Sequence, residues 1–165
     1  MIELLDKEHN RKDFDCGNEL LNNYLKNQAG QDVKRKLSAC FVLIENTTNA
    51  IQGYYTLSNS SIPLSSFSGQ IRKKLPKSYT SIPATLLGRL AIDQKYQGQG
   101  LGKILLIDAL KRTYGISNEI GSFGVVVDPI DNDAKSFYRK YDFIEFPDSK
   151  KMFIATKTLK ELFDE

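Results

Sequence analysis

The sequence predicts an α/β protein with a mixed sheet covered by helices. Three observations carry this. Strand-like and helix-like segments alternate through the second half of the chain, an order that lays helices on a sheet. Two runs rich in β-formers, residues 38–45 (SACFVLIE) and 51–58 (IQGYYTLS), flank a polar stretch suited to a hairpin turn. A further apolar run, 85–93, enters a helical pattern through a glycine-rich turn.

Taken in order, residues 2–5 make a short opening strand. Residues 16–28 read as a helix, because Leu20, Leu21, Tyr24 and Leu25 recur at helical spacing and Asp15 stands where a cap belongs. Gly30 should stop or bend it. The hairpin 38–58 follows. Residues 61–83 read as irregular, punctuated by Pro63, Pro76 and Pro83, with a short amphipathic helix at 66–75. Gly88 inside the strand 85–93 suggests a bulge or a close backbone approach. An apolar helix then runs to about Tyr114, and 122–127 is a buried strand. Residues 132–141 form a helix, 143–146 and 152–156 a closing strand pair, and 158–163 a last helical turn.

With 165 residues, the chain has the size of a single domain spanning 1–165. No apolar run approaches the ~20 residues a membrane span needs, and the opening stretch is too charged for a signal peptide, so a cytoplasmic protein is expected. Two widely separated cysteines, Cys16 and Cys40, and one histidine, His9, cannot assemble a zinc site; they read as inert thiols and a surface imidazole. The net charge of +3 is mild, but its distribution is uneven. Lys34, Arg35 and Lys36 form one basic cluster, and Arg72, Lys73, Lys74 and Lys77 another. Either cluster could draw an anionic partner or be an ordinary solvated face.

The segment from Gln97 through Gly98, Gln99, Gly100, Leu101, Gly102 and Lys103 leads from a strand into a helix. Glycine lets a ligand approach the backbone, and the first turn of a helix offers unpaired N–H groups and a positive dipole end. Together these make a site for a phosphate or diphosphate. A phosphate loop of the Walker type would need a hydroxyl after Lys103, where Ile104 stands; this disfavours a magnesium-dependent nucleotide switch. The Rossmann spacing is not matched either. Read alone, the turn leaves a ligand-free strand–helix connection open.

The spacing Gln97-x-x-Gly100-x-Gly102, in this context, resembles the diphosphate signature of the GNAT N-acetyltransferases. The resemblance extends to Phe14-Asp15-Cys16-Gly17, Gly53-Tyr54-Tyr55 and Leu87-Gly88-Arg89-Leu90-Ala91-Ile92-Asp93. In this wider form it is closest to GNAT toxins of toxin–antitoxin modules. It implies a mixed, mostly antiparallel twisted sheet of six to seven strands with about four helices on its two faces. It further implies acetyl-CoA as cofactor, without a metal. The coenzyme would lie on the backbone of Leu90, Ala91 and Ile92 and on the turn from Gln97 to Lys103. Asn132 would contact the pantetheine arm or cap its helix, its spacing to Ala134 being one residue shorter than the family pattern. Tyr138 would be the catalytic residue beside the sulfur. The family's Gly-Phe turn reads Asp142-Phe143 here, and Asp tolerates left-handed dihedrals.

The implied activity is acetylation of the α-amino group of the amino acid carried on charged tRNA, which blocks translation. A ribbon-helix-helix antitoxin is the implied partner, and a homodimer a further expectation. Elementary chemistry agrees with the acceptor. An α-amino group, with a pKa of about 7.7–8.0, is partly neutral at pH 7, whereas lysine, at about 10.4, needs a base. The strand before the turn carries Arg89 and no glutamate. On this reading Lys34–Lys36, Arg72–Lys74 and Lys77 attract tRNA phosphates, with Arg89 nearer the acceptor end. Two alternatives use the same cofactor turn: an acetyltransferase for a small amine or protein N-terminus, and a non-catalytic acyl-CoA-binding or adaptor domain.

Overall fold

The structure, a computed structural model, describes residues 1–164. Its strands are β1 (Ile2–Leu4), β2 (Ala39–Ile44), β3 (Ile51–Pro63), β4 (Ser81–Ile92), β5 (Gly124–Val127), β6 (Ile144–Glu145) and β7 (Met152–Ala155). The helices are α1 (Glu19–Asn23), α2 (Ala29–Lys34), α3 (Gly69–Arg72), α4 (Leu101–Ile116), α5 (Asn132–Lys140) and α6 (Thr156–Phe163). Strand order is β1-β2-β3-β4-β5-β7-β6. The pairs β1–β2, β2–β3, β5–β7 and β6–β7 are antiparallel, and β4–β5 is parallel. Mixed α/β architecture with seven mostly antiparallel strands is the fold expected above.

The chain forms two compact units, Met1–Ser58 with Leu87–Ala109, and Asn59–Leu86 with Leu110–Glu165. In the first, Phe14, Tyr24, Leu25, Cys40, Val42 and Tyr54 bury their side chains together. The hairpin between β2 and β3 is tied by Glu45, whose carboxylate accepts from the N–H groups of Thr47 and Thr48 and from the Thr48 hydroxyl. In the second, Phe67 makes edge-on contacts with Phe123, Phe146 and Phe153, centring a cluster that includes Ile62, Ile82 and Val126.

Several local expectations are corrected. The helix over 16–28 begins later, at Glu19, and its cap is Asn18, whose side chain accepts from the N–H of Leu21. Asp15 instead shapes the bend before it, accepting from the N–H of Gly17 and from the Asn22 side chain. Gly30 does not stop the helix. The helix widens to a π turn at Tyr24–Gln28, and α2 continues through Gly30 until Lys36 turns left-handed (φ 61°). Both long strands outrun their predicted ends, β3 reaching Pro63 and β4 starting at Ser81. The predicted helix at 66–75 shrinks to Gly69–Arg72, capped by Ser68. His9 is buried, not superficial: Nε2 meets Glu3 at 2.6 Å, and Nδ1 accepts from the N–H of Asp6.

Candidate active site

The glycine-rich turn is assembled by hydrogen bonds from two distant stretches of the first unit. β4 ends at Ile92, and the next residue, Asp93, is 3% exposed. One of its carboxylate oxygens accepts from the N–H of Lys95 (2.9 Å), starting a single 3₁₀ turn at Gln94–Tyr96. The other accepts from the N–H of Asp15 (3.0 Å). The Asp15 carbonyl in turn accepts from the N–H of Gln94 (2.8 Å). The carboxyl of Asp15 lies below its usual pKa range, held first by the N–H of Gly17 and then by Asn22.

Gln97 closes the brace. Its side-chain amide donates to the carbonyls of Ile92 (2.9 Å) and Cys16 (3.3 Å), so that amide supports the turn. Gly98 and Gly100 have φ of +79° and +76°, the left-handed region that a side chain disfavours. The carbonyl of Gly100 accepts from the N–H of Ile104, which makes Gly100 the residue that opens α4. The N–H groups of Leu101, Gly102 and Lys103 therefore lie in the first turn, where the helix supplies no partner. No acidic residue occupies that turn, so nothing offsets the positive dipole end, and Lys103 adds an exposed cation. Leu105, Leu106 and Ala109 are fully buried and anchor the helix. Exposed glycines, first-turn amides and an uncompensated helix terminus fit the diphosphate of a coenzyme A.

Beside the turn, a Cβ built on Gly53 would lie 2.6 Å from Ile92 Cδ1 and 2.9 Å from the Ala91 carbonyl. Only glycine permits that approach to the strand that the cofactor reading uses. Within it, Ala91 is buried, and Leu90 and Ile92 are half-buried. The guanidinium of Arg89 stacks over the Tyr24 ring at 3.5 Å from its centroid, and the Tyr24 hydroxyl donates to Asp32 (2.8 Å). Burial and then the Asp32 contact push the Tyr24 phenol up to about 12, so it remains a neutral platform for the cation. Lys34, Arg35 and Lys36 lie at the end of α2, and all three are exposed.

Tyr138 belongs to the second unit. It occupies the third position from the end of α5, where the helix closes in a Schellman motif. The N–H of Phe143 donates to the Tyr138 carbonyl, and the N–H of Asp142 to that of Arg139. Asp142 is left-handed (φ 70°), as the sequence implied. The Tyr138 ring is packed by Phe137 and Phe143, with centroids at 5.3 and 5.1 Å. Burial raises its phenol pKa, which keeps the hydroxyl protonated. Among the described residues that hydroxyl has no hydrogen-bond partner.

Asn132 does not cap α5. The cap is Asp131, whose side chain accepts from the N–H of Ala134 (2.8 Å). Counting from Asp131 restores the three-residue step to Ala134, so the apparent shortening is a one-position offset of the capping residue. Asn132 is exposed in the first turn of α5. Arg72, Lys73, Lys74 and Lys77 are exposed at and after the end of α3. The residues that sequence reasoning missed are Asp93 and Asp131. An Asp directly before a new turn is a capping signal, and both residues carry it.

Among the described residues no group of histidine, cysteine and carboxylate side chains could hold a metal ion. Cys40 and Cys16 are free thiols whose pKa values burial raises, that of Cys40 to about 12. Nor is any described helix long and apolar enough to cross a membrane.

A sheet of this order, with a strand ending in a braced glycine turn that opens a helix, fits the class of acyl-CoA-dependent N-acetyltransferases. The acetyltransferase (GNAT) domain family matches residues 36–145, and the chain belongs to that family. It is 33% identical over 130 residues to a tRNA-acetylating toxin of Mycobacterium tuberculosis, covering 79% of this chain and 75% of the relative. Its fold is similar to that of AtaT complexed with acetyl-methionyl-tRNAfMet, with a TM-score of 0.91, 33% identity, and 99% and 98% of the two chains covered. A mutant AtaT toxin bound to acetyl-CoA and the C-terminus of the antitoxin AtaR gives a TM-score of 0.82 at 29% identity, with 100% and 98% covered.

Proposed function

We infer that this chain transfers an acetyl group from acetyl-CoA to the α-amino group of the amino acid on charged tRNA, and so stops translation. The observation that carries the reading is the braced turn from Gly98 to Lys103. It offers a diphosphate site in a chain similar throughout to a toxin captured with acetylated aminoacyl-tRNA. When bound, acetyl-CoA supplies an acetyl thioester already activated toward an amine.

The protein's own contributions are positional. The N–H groups of Gly100 to Lys103 hold the diphosphate, and the backbone of Leu90, Ala91 and Ile92 holds the pantetheine arm. Gln97 supports both from behind. We assign Tyr138 Oη to the departing sulfur. A phenol with a pKa of about 10 is a weaker acid than a thiol at about 8.5, so full proton transfer would be uphill by about 2 kcal/mol. Burial raises the Tyr138 pKa further. The hydroxyl therefore acts as a hydrogen-bond donor, with the proton supplied afterwards from solvent. Asn132 is assigned to the pantetheine arm as well. Lys34, Arg35, Lys36, Arg72, Lys73, Lys74 and Lys77 supply phosphate attraction, and Arg89, held on Tyr24, supplies a fixed cation nearer the acceptor end.

The reading places the chain in the cytoplasm, where tRNA is charged, as a homodimer checked by sedimentation, and pairs it with a ribbon-helix-helix antitoxin. The test is competition among acceptors. With labelled acetyl-CoA, charged tRNA should take the label while deacylated tRNA, spermidine and a peptide N-terminus do not. Labelling of spermidine or the peptide instead would replace the acceptor, and binding of acetyl-CoA without transfer would leave a non-catalytic domain.

A further inference from the structure

The second unit holds an apolar cavity of about 430 Å³ that the proposed reaction does not use. It lies between the end of α3, the start of α6 and the strands β6 and β7. Ile71, Leu75, Phe123, Ile144 and Phe153 supply its walls. Two cations stand in the lining, Lys74 just after α3 and Lys157 in the first turn of α6, against one acid, Asp142. Neither lysine forms an ion pair among the described residues. Glu145, the acid on β6, is already engaged by Lys135 and Arg139.

Local sequence leaves one end of this cavity positive. The cap of α6 is Ala155, which has no side-chain acceptor, and no acidic residue stands in the first turn. The Thr156 N–H donates to the Phe123 carbonyl (2.8 Å), but those of Lys157 and Thr158 lie where a helix supplies no partner. Ala155, Lys157 and Thr158 all line the cavity, so the positive dipole end of α6 opens onto it beside the two ammonium groups. Aromatic packing fixes the wall. The rings of Phe123 and Phe153 both meet Phe67 edge-on, with centroids at 5.4 Å. A preformed, mostly apolar concavity with a few convergent polar groups, in the size range of roughly 300–1,000 Å³, is the usual form of a small-molecule site.

The lining selects the occupant. Apolar walls take an apolar body, and the unpaired lysines take an anion. Two ammonium groups against one carboxylate leave a single positive charge, which one further carboxylate neutralises. An extended peptide would find little edge to pair with. Among the described residues β6 already covers Met152 and Phe153, leaving only Ile154 and Ala155 of β7 open on that side. We propose that this cavity binds a monocarboxylate of the fatty-acid class. Lys74, Lys157 and the first-turn amides of α6 hold its carboxylate, and its chain lies on Ile71, Leu75, Phe123 and Phe153.

The test is calorimetric titration of the full chain with decanoate, below the concentration at which it forms micelles, beside decan-1-ol and decyltrimethylammonium. Saturable binding of one decanoate per chain is expected, with the alcohol and the cation weaker by roughly tenfold or more, since a charge-assisted hydrogen bond is at stake. Lys157→Gln should weaken decanoate by a similar factor. Thr158→Glu sets a carboxylate in the first turn of α6, where it favours the helix but repels the ligand. Its melting temperature should hold or rise while decanoate binding is lost, which separates the site from the fold. Absence of saturable heat with decanoate would overturn the proposal. So would equal affinity for decan-1-ol, or wild-type decanoate binding in Thr158→Glu. A dimer in sedimentation that Ile144→Glu dissociates, with decanoate unbound by wild type, would give the cavity to a second copy of this chain instead.

Discussion

The backbone N–H of Asp15 donates to the buried carboxylate of Asp93, 78 residues further on, at 3.0 Å. This bond, with those from Gln94 and Gln97 to the same N-terminal segment, makes the glycine-rich turn a supported loop. Asp93→Asn keeps the volume but sets an amide where two N–H groups need acceptors. Leaving one buried donor unpaired costs about 1–3 kcal/mol. The expected outcome is a loss of that size in chemical denaturation and about tenfold weaker acetyl-CoA binding by calorimetry. Wild-type values for both would remove the brace from the account.

The turn glycines separate conformation from space. Nothing lies within 4 Å of a Cβ built on Gly100, yet its φ is +76°. Gly100→Ala should therefore lower the melting temperature by a few degrees, reflecting about 1–2 kcal/mol of left-handed strain, and weaken acetyl-CoA binding several-fold. Gly53→Ala meets a steric obstacle instead of a conformational one. Its side chain would collide with Ile92 and the Ala91 carbonyl, so the fold itself should destabilise, visible as a lowered melting temperature.

Tyr138 has a hydroxyl without a protein partner among the described residues, on a ring that the fold already holds. Tyr138→Phe should keep the ring packing and the KM for acetyl-CoA and lower kcat by ten- to a hundredfold, read by steady-state kinetics. Burial raises the folded pKa of this phenol above its unfolded value, so its contribution to stability is complete below about pH 10 and is lost as pH rises beyond it. The Phe variant should accordingly lose less stability than wild type between neutral pH and about pH 11.

Much of this was legible in the chain because it is local. The strand–helix order, the left-handed Asp142 and the spacing of Gly98, Gly100 and Gly102 are set by neighbours in sequence. The π turn at Tyr24–Gln28 was not legible, because its residues satisfy an ordinary helical pattern and what engages them, including the Arg89 guanidinium on Tyr24, comes from elsewhere in the fold. The extensions of β3 and β4 were hidden in the same way, since polar residues such as Asn59, Ser60 and Ser61 become strand only when a partner strand pairs with them. Asp93 was missed as well: it stands where a cap belongs, but it was read only as the end of a strand, and the N–H that it also holds lies 78 residues away. Asp131 was overlooked because the adjacent Asn132 matched the expected residue type.

Glu45 gives a pH test of the first unit. Bonds from Thr48 and Thr47 hold its carboxyl down at about 2. The folded pKa lies below the unfolded value of about 4.3, so the hairpin is supported above that value and loses the support as pH falls toward 2. In a titration followed by NMR, the Thr48 amide should shift with a midpoint near 2, and Glu45→Gln should abolish the shift. A midpoint of about 4.3 would show that the turn is not held by this carboxylate.

The central claim is the position of the acetyl group. The most direct measurement is mass spectrometry of charged tRNA after incubation with the protein and acetyl-CoA, following ribonuclease digestion to the terminal aminoacyl-adenosine. The account predicts a single added acetyl on the α-nitrogen of the amino acid, formed by wild type and strongly reduced by Tyr138→Phe. An unmodified aminoacyl-adenosine, or an acetyl on the nucleoside, would contradict it.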